Sequence, residues 1–206
     1  MIEERKDHWE GVYGNKASTE VSWYQAVPEQ SLTYLRNTGA SQQSSVIDVG
    51  GGASTLVDHL LDTGFTDVTV LDLADSALEQ TRKRLGDRAA SVDWVVGDVT
   101  RIDPGRKFDI WHDRAVLHFL TEPADRERYV QTLKGALNKG GHAIISAFGP
   151  SGPLKCSGLE IRRYTIEMLQ ELLGPEFELQ EYDFEDHQTP MRSTQQFLYS
   201  RWVRRG

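Results

Sequence analysis

The feature that most restricts this chain's fold is a run of three glycines wedged between two apolar segments of different period. Residues 45–49 end in Val46-Ile47-Asp48-Val49 and read as a buried strand. Gly50-Gly51-Gly52 follows as a tight turn, and residues 55–62 then read as a helix closed by Gly64. A strand feeding a helix through so short a turn is the opening of a βαβ unit. The pattern repeats downstream. Residues 67–71, 92–96, 108–112 and 142–148 read as further strands. Residues 75–85 and 123–138 read as helices, the first capped by Asp75 or Ser76, the second ended by Gly140-Gly141. A late helix at 165–173 has Thr165 as its cap, and residues 177–184 and 195–203 read as two strands with no helix between them. Alternating strands and helices predict a doubly wound α/β fold with a mainly parallel sheet. The last two strands predict an antiparallel hairpin at one edge.

The 206 residues suit one domain: an N-terminal helical cap over 1–44, a core over 45–150, and a C-terminal helix and strands over 151–206. No apolar run approaches the roughly 20 residues of a membrane-spanning helix, and the charged start MIEERKDHWEGVYG lacks a secretory core. Cys156 is the only cysteine, so no internal disulfide can form, and the expected compartment is the reducing cytoplasm. Net charge is −8, and the one short basic cluster, Arg201, Arg204 and Arg205, reads as a solvated tail. That balance argues against nucleic acid as a partner. No His, Asp or Glu group has metal-ligand spacing, so no metal is expected. Oligomeric state is not legible.

Ligand loops of such sheets lie at the carboxyl ends of the strands, and three carboxylates stand there. Asp48 guards the glycine turn, where a negative charge would repel a pyrophosphate and suits a cationic ligand without phosphate. Asp72 ends the second strand about 20 residues beyond the turn, where an acid commonly accepts the hydroxyls of a ribose. Asp98 follows the third strand, beside Val99, and can accept from an exocyclic amine. The dinucleotide pattern wants Gly or Ala where Thr55 stands, and the Gly-Lys-Ser/Thr of a P-loop is missing.

The segment from about Val46 to Phe148 resembles the core of class I S-adenosylmethionine-dependent methyltransferases. Asp48, Gly50 and Gly52 match their first motif, with Ser54 where a last glycine usually stands. The resemblance implies a seven-stranded sheet whose last strand is antiparallel. It implies that Asp48, Gly50, Gly51 and Gly52 surround the methionine part of the cofactor, Asp72 and Leu73 the ribose, and Asp98 and Val99 the adenine. The flanks, Trp9 to Gln25 and His187 to Tyr199, resemble segments of small bacterial type 11/12-like methyltransferases and, more distantly, lysine methyltransferases of elongation factors.

The loop after the fourth strand, Trp111 to Phe119, would face the acceptor in that fold. It lacks the Asn/Asp-Pro-Pro-Tyr/Phe signature of enzymes that methylate exocyclic or amide nitrogens, and Cys156 lacks the Pro-Cys setting of C5 pyrimidine chemistry. His118 and Asp113 are the candidate bases, with His112 and His187 behind them. His118 reads equally as a packed helix-face histidine, and Asp113 as an ion-pair partner of Arg114. Trp9, Trp23 and Tyr24 are candidates for a lid or an acceptor surface, joined by His187 and Arg192 from the C-terminal hairpin. The expected activity is methyl transfer to a small molecule or a protein side chain. A cofactor-binding protein without turnover and an NAD(P)-dependent oxidoreductase are the alternatives, the latter opposed by Asp48.

Overall fold

A computed structural model describes residues 2–205. The chain begins with α1 (Ile2–Asn15) and α2 (Glu29–Asn37), then enters the sheet at β1 (Val46–Val49). The alternation runs α3 (Leu56–Asp62), β2 (Val68–Asp72), α4 (Asp75–Leu85), β3 (Val92–Val96), β4 (Phe108–Arg114), α5 (Pro123–Ala136) and β5 (Leu137–Phe148). A small hairpin, β6 (Lys155–Cys156) and β7 (Leu159–Glu160), precedes α6 (Ile166–Leu173), β8 (Phe177–Gln188) and β9 (Thr194–Arg204). The seven long strands form one sheet in the order β3-β2-β1-β4-β5-β9-β8. The first five are parallel, β9 lies antiparallel to β5, and β8 pairs antiparallel with β9 as the edge. Chain order reverses direction between β1 and β4, and a crevice opens there beyond the carboxyl ends of the strands.

Two buried clusters cover the two faces. One joins Ile47, Trp111, Leu133, Ile145 and Trp202 under α5 and α6; the other joins Val46, Leu56, Val70, Ile144 and Tyr199 under α2, α3 and α4. All four residues of β1 are buried, which is why its hydrophobic run does not alternate. A third, smaller cluster of Tyr13, Val21, Ala53, Ala74 and Ala77 ties the N-terminal segment to the start of α4. Among the described residues no helix is long and apolar enough to cross a membrane.

Several local expectations are corrected. α5 stops at Ala136, and Gly140-Gly141 sits inside β5, at a register irregularity opposite Phe108 and Ile110. β8 and β9 are longer than their apolar content suggests, because β8 is an edge strand on which Glu178, Asp183 and Asp186 face solvent. The β6–β7 hairpin carried no pattern long enough to read; Ser157 (φ 50°) and Gly158 (φ 79°) make its left-handed turn. Thr165 caps α6 as expected, its side chain accepting from Met168 N. The cap of α4 is different: neither Asp75 nor Ser76 supplies it. Glu10 of α1 does, accepting from Asp75 N at 2.8 Å and Ser76 N at 3.1 Å. A carboxylate on those orphan amides is favoured by the helix dipole.

Candidate active site

The turn after β1 is shaped by two constraints. Gly50 has φ +68°, a region where side chains are strained, and a Cβ there would lie 2.1 Å from Val116 Cγ2. Val116 is brought in by Ala115, itself at φ 78° in the loop after β4. At Gly52 a Cβ would fall 2.5 Å from both Asp72 Oδ2 and Ala77 Cβ. The bare backbone lets Gly52 N donate instead to Asp72 Oδ2 at 3.0 Å, while Ala74 N donates to Oδ1 at 2.9 Å. Asp72 is thus fixed at the end of β2 by the turn it faces.

A cavity opens over these strand ends, at the place where ligands of such sheets bind. Leu71, Asp72, Leu73, Gly97, Asp98 and Val99 line it above β2 and β3. Arg114, Phe119, Phe148, Cys156 and Phe197 line it above β4, β5 and β9. Trp9 and Trp23 close it from the N-terminal segment, packed edge-to-face at 5.7 Å, with Trp9 also against Phe119 at 5.0 Å. A second cavity adjoins it, sharing Tyr13, Trp23, Gly50 and Arg114; Asp48, Gly51, Tyr24 and His112 line this one.

The carboxylates differ in their surroundings. Burial pushes the Asp72 carboxyl up from 3.8 to about 6, partly offset by the amides of Ala74 and Gly52, with Asp48 adding a like charge. Asp48 is buried, and its Oδ1 accepts from His112 Nδ1 at 2.7 Å. Its Oδ2 is also shut off from solvent and has no hydrogen-bond partner. Asp98 Oδ1 takes the amide and hydroxyl of Thr100, both at 2.8 Å, and Oδ2 takes Arg5 at 3.1 Å. Arg5 also reaches Asp125 at 3.2 Å, so α1 is fastened across the cavity at both ends, by Arg5 and by Glu10.

A buried chain of hydrogen bonds runs from Asp48 to the opposite wall. His112 Nε2 lies 2.9 Å from Ser31 Oγ, Ser31 Oγ 3.3 Å from the Tyr199 hydroxyl, and Arg114 Nε donates to that hydroxyl at 2.9 Å. Arginine only donates and an ionised carboxylate only accepts. With a neutral imidazole, every proton in the chain therefore points toward Asp48, an arrangement in which each bond polarises the next. Sequence reasoning placed His112 only among reserve bases and missed Ser31, Tyr199, Arg5 and Glu10 altogether.

Of the expected residues, Gly50, Asp72, Leu73, Asp98, Val99, Trp9 and Trp23 share the main cavity, and Asp48, Gly51 and Tyr24 share its neighbour. Gly52 lies just beneath, holding Asp72. The two candidate bases line neither cavity. Asp113 is fully buried, accepting from the Tyr129 hydroxyl at 2.7 Å and Val116 N at 2.8 Å, bonds that tie the loop after β4 to α5. Burial lifts its pKa to about 6. His118 is fully buried and stacked on Phe148 at 4.3 Å, and burial with the charge of Arg114 drives its pKa down to about 3. His187 is buried against Phe197 with Nε2 2.8 Å from Ser22 O, and Arg192 is exposed in the β8–β9 turn at φ 61°; both also lie outside the cavities. Among the described residues no cluster of His, Cys, Asp and Glu could hold a metal ion.

Residues 46–141 match the family model described as a methyltransferase domain. A zebrafish protein, EEF1A lysine methyltransferase 2, is 24% identical over 188 residues, covering 84% of this chain and 79% of the relative. A mouse protein, eEF1A lysine and N-terminal methyltransferase, is 25% identical over 112 residues, and the match spans only 16% of its length. Among solved structures, the Burkholderia thailandensis 1,6-didemethyltoxoflavin-N1-methyltransferase, with 1,6-didemethyltoxoflavin and S-adenosylhomocysteine bound, superposes with a TM-score of 0.72 at 20% identity. It covers 100% of this chain and 91% of that one.

Proposed function

We propose that this chain is a class I S-adenosylmethionine-dependent methyltransferase, as its match to the methyltransferase-domain model over residues 46–141 supports, and that it transfers a methyl group from S-adenosylmethionine to a small molecule or a protein side chain. The observation that carries the reading is the pair of buried carboxylates flanking one glycine turn. Asp48 and Asp72 are each at most 7% exposed and repel one another. Asp48 Oδ2 is buried without a partner, an arrangement that costs about 1–3 kcal/mol until a donor reaches it. A ligand with an ammonium group supplies that donor; a pyrophosphate would meet two like charges at close range.

When bound, S-adenosylmethionine supplies an already activated methyl group on a sulfonium sulfur. The protein's own part is to hold and align. In this reading Asp48, Gly50 and Gly51 take the amino-acid end, Asp72 and Leu73 the ribose, and Asp98 and Val99 the adenine. Residues 1–44 act as a lid over 45–150, with Trp9 and Trp23 excluding water from the reacting end. Alignment of the two reactants in a dry site contributes most of the rate. A cytoplasmic setting is part of the proposal, since the single cysteine is free and buried. The charge of −8 favours a metabolite or protein acceptor over nucleic acid.

The test is calorimetry with S-adenosylmethionine, S-adenosylhomocysteine and NAD, followed by methyl-label transfer into a metabolite and peptide panel. Binding of both adenosyl ligands without NAD supports the reading; NAD binding in their place defeats it.

A further inference from the structure

Resting on that reading, we infer that the acceptor reaches the site already ionised, as a small apolar molecule bearing a carboxylate or thiolate, and that Arg114 selects it. The adenosyl side of the cavity lies over β2 and β3, so the acceptor takes the other side, over β4, β5 and β9. That side is walled by Trp23, Phe119, Phe148 and Phe197, with Arg114, Cys156 and Tyr13, whose phenol burial holds protonated, as its polar members. Among the described residues no carboxylate or imidazole lines it. Burial holds the Cys156 thiol protonated, up at about 11. Nothing on this wall is suited to take a proton from an ammonium or an alcohol.

Arg114 is held rigidly. Its Nε donates to the Tyr199 hydroxyl and its Nη1 to Trp23 O, both at 2.9 Å, and its guanidinium lies 4.7 Å over the Phe197 ring. Aromatic faces attract cations, but here the Phe197 face already carries the protein's own. A lysine ammonium would meet a like charge. Nη2 is buried without a hydrogen-bond partner, and its nearest countercharge, Glu185 Oε2, stands 3.8 Å away, beyond hydrogen-bonding distance. Glu185 spends its other oxygen on Gln25 at 2.6 Å. Arg114 therefore sets a cationic group on this wall, ion-paired with Glu185 at 3.8 Å but without a hydrogen bond at Nη2.

The chemistry fits such a wall. A carboxylate oxygen or thiolate sulfur forms a bond to the methyl carbon. The bond from that carbon to the sulfonium sulfur breaks, and its electron pair stays on sulfur as the neutral thioether of S-adenosylhomocysteine. An anion and a cation become two neutral centres with no proton left to place. Charge cancels along the path, so a water-poor apolar wall assists the step, and Arg114 offsets the desolvation of the incoming anion.

The test uses 3-phenylpropanoate and 3-phenylpropylamine, which share one apolar body, and thiophenol, an aryl thiol that is largely ionised at about pH 8. Their binding to the full chain loaded with S-adenosylhomocysteine is measured by calorimetry, and methyl-label transfer to each is measured separately. The carboxylate or the thiol should bind at least about tenfold tighter than the amine, and Arg114→Gln should erase that preference. Label should enter the anionic probes and not the amine, and which of the two is methylated identifies the source of the anion. Equal or tighter binding of the amine to the wild-type chain overturns the inference, as does label entering the amine first. Because wild type alone is decisive, poor folding of the variant would not rescue the idea. Loss of S-adenosylhomocysteine binding itself would instead strike the underlying reading.

Discussion

Replacing Asp72 by Asn separates ligand binding from stability. The Asp72 carboxyl has its folded-state pKa raised from 3.8 to about 6. A raised carboxylate pKa means the fold prefers the protonated form, so stability is lost as pH rises from about 4 to about 6 and stays level above. Above pH 7 the ionised group costs roughly 3 kcal/mol. Asn removes that cost but has one acceptor oxygen for the two amides of Gly52 and Ala74, leaving a buried N–H unmet at about 1–3 kcal/mol. The two effects offset, and urea denaturation at pH 7.5 should show a net change within about 2 kcal/mol. Affinity for S-adenosylhomocysteine should behave differently. Loss of a charged acceptor for the ribose hydroxyls costs about 1.5–3 kcal/mol, roughly 10- to 150-fold in Kd by calorimetry. In the wild type, Kd should weaken about tenfold per unit as pH falls below 6; in the variant this pH dependence should vanish. Unchanged affinity in Asp72→Asn, together with a flat wild-type pH profile, would refute the ribose assignment and the reasoning from burial alike.

Other perturbations probe the supporting parts. Gly50→Ala forces a side chain into Val116 at a left-handed φ, so it should lower stability by about 1–3 kcal/mol in a denaturant melt, with Val116→Ala restoring part of it. Glu10→Ala uncaps α4 from outside; stability should fall by about 0.5–2 kcal/mol, and amide exchange in residues 2–15 should speed up as the lid loosens. His118→Phe should keep the stack on Phe148 and retain methyl transfer, which a catalytic histidine would not allow. It should also gain acid resistance. The unfolded chain protonates this histidine near 6.5 while the folded one waits until about 3, so wild type loses about 1.4 kcal/mol per pH unit across that window and the variant escapes this share.

The parts legible in the sequence were those with a local signature. The glycine turn, the buried run of β1 and the acids ending β2 and β3 each sit within a few residues of the pattern that reveals them. The cap at Thr165 likewise needed only its own neighbours. What escaped was long-range. His112 meets Asp48 and Ser31 across 64 and 81 positions, and Ser31 meets Tyr199 across 168. Glu10 caps a helix 65 positions away. A glutamate inside an N-terminal helix looks the same in sequence whether it faces water or another helix's amides. His118 was ambiguous in another way: histidine beside an apolar run fits both a base and a packed ring, and only the fold shows that it is buried against Phe148. β8 was cut short because an exposed edge strand carries the same polar residues as a loop.

A crystal structure with S-adenosylhomocysteine addresses the main claim without intermediaries. It should show both ribose hydroxyls on the Asp72 carboxylate and the ligand's ammonium on Asp48 Oδ2, with Trp9 and Trp23 closed over the sulfur. A ligand seated elsewhere, or one that leaves Asp48 and Asp72 untouched, would contradict it.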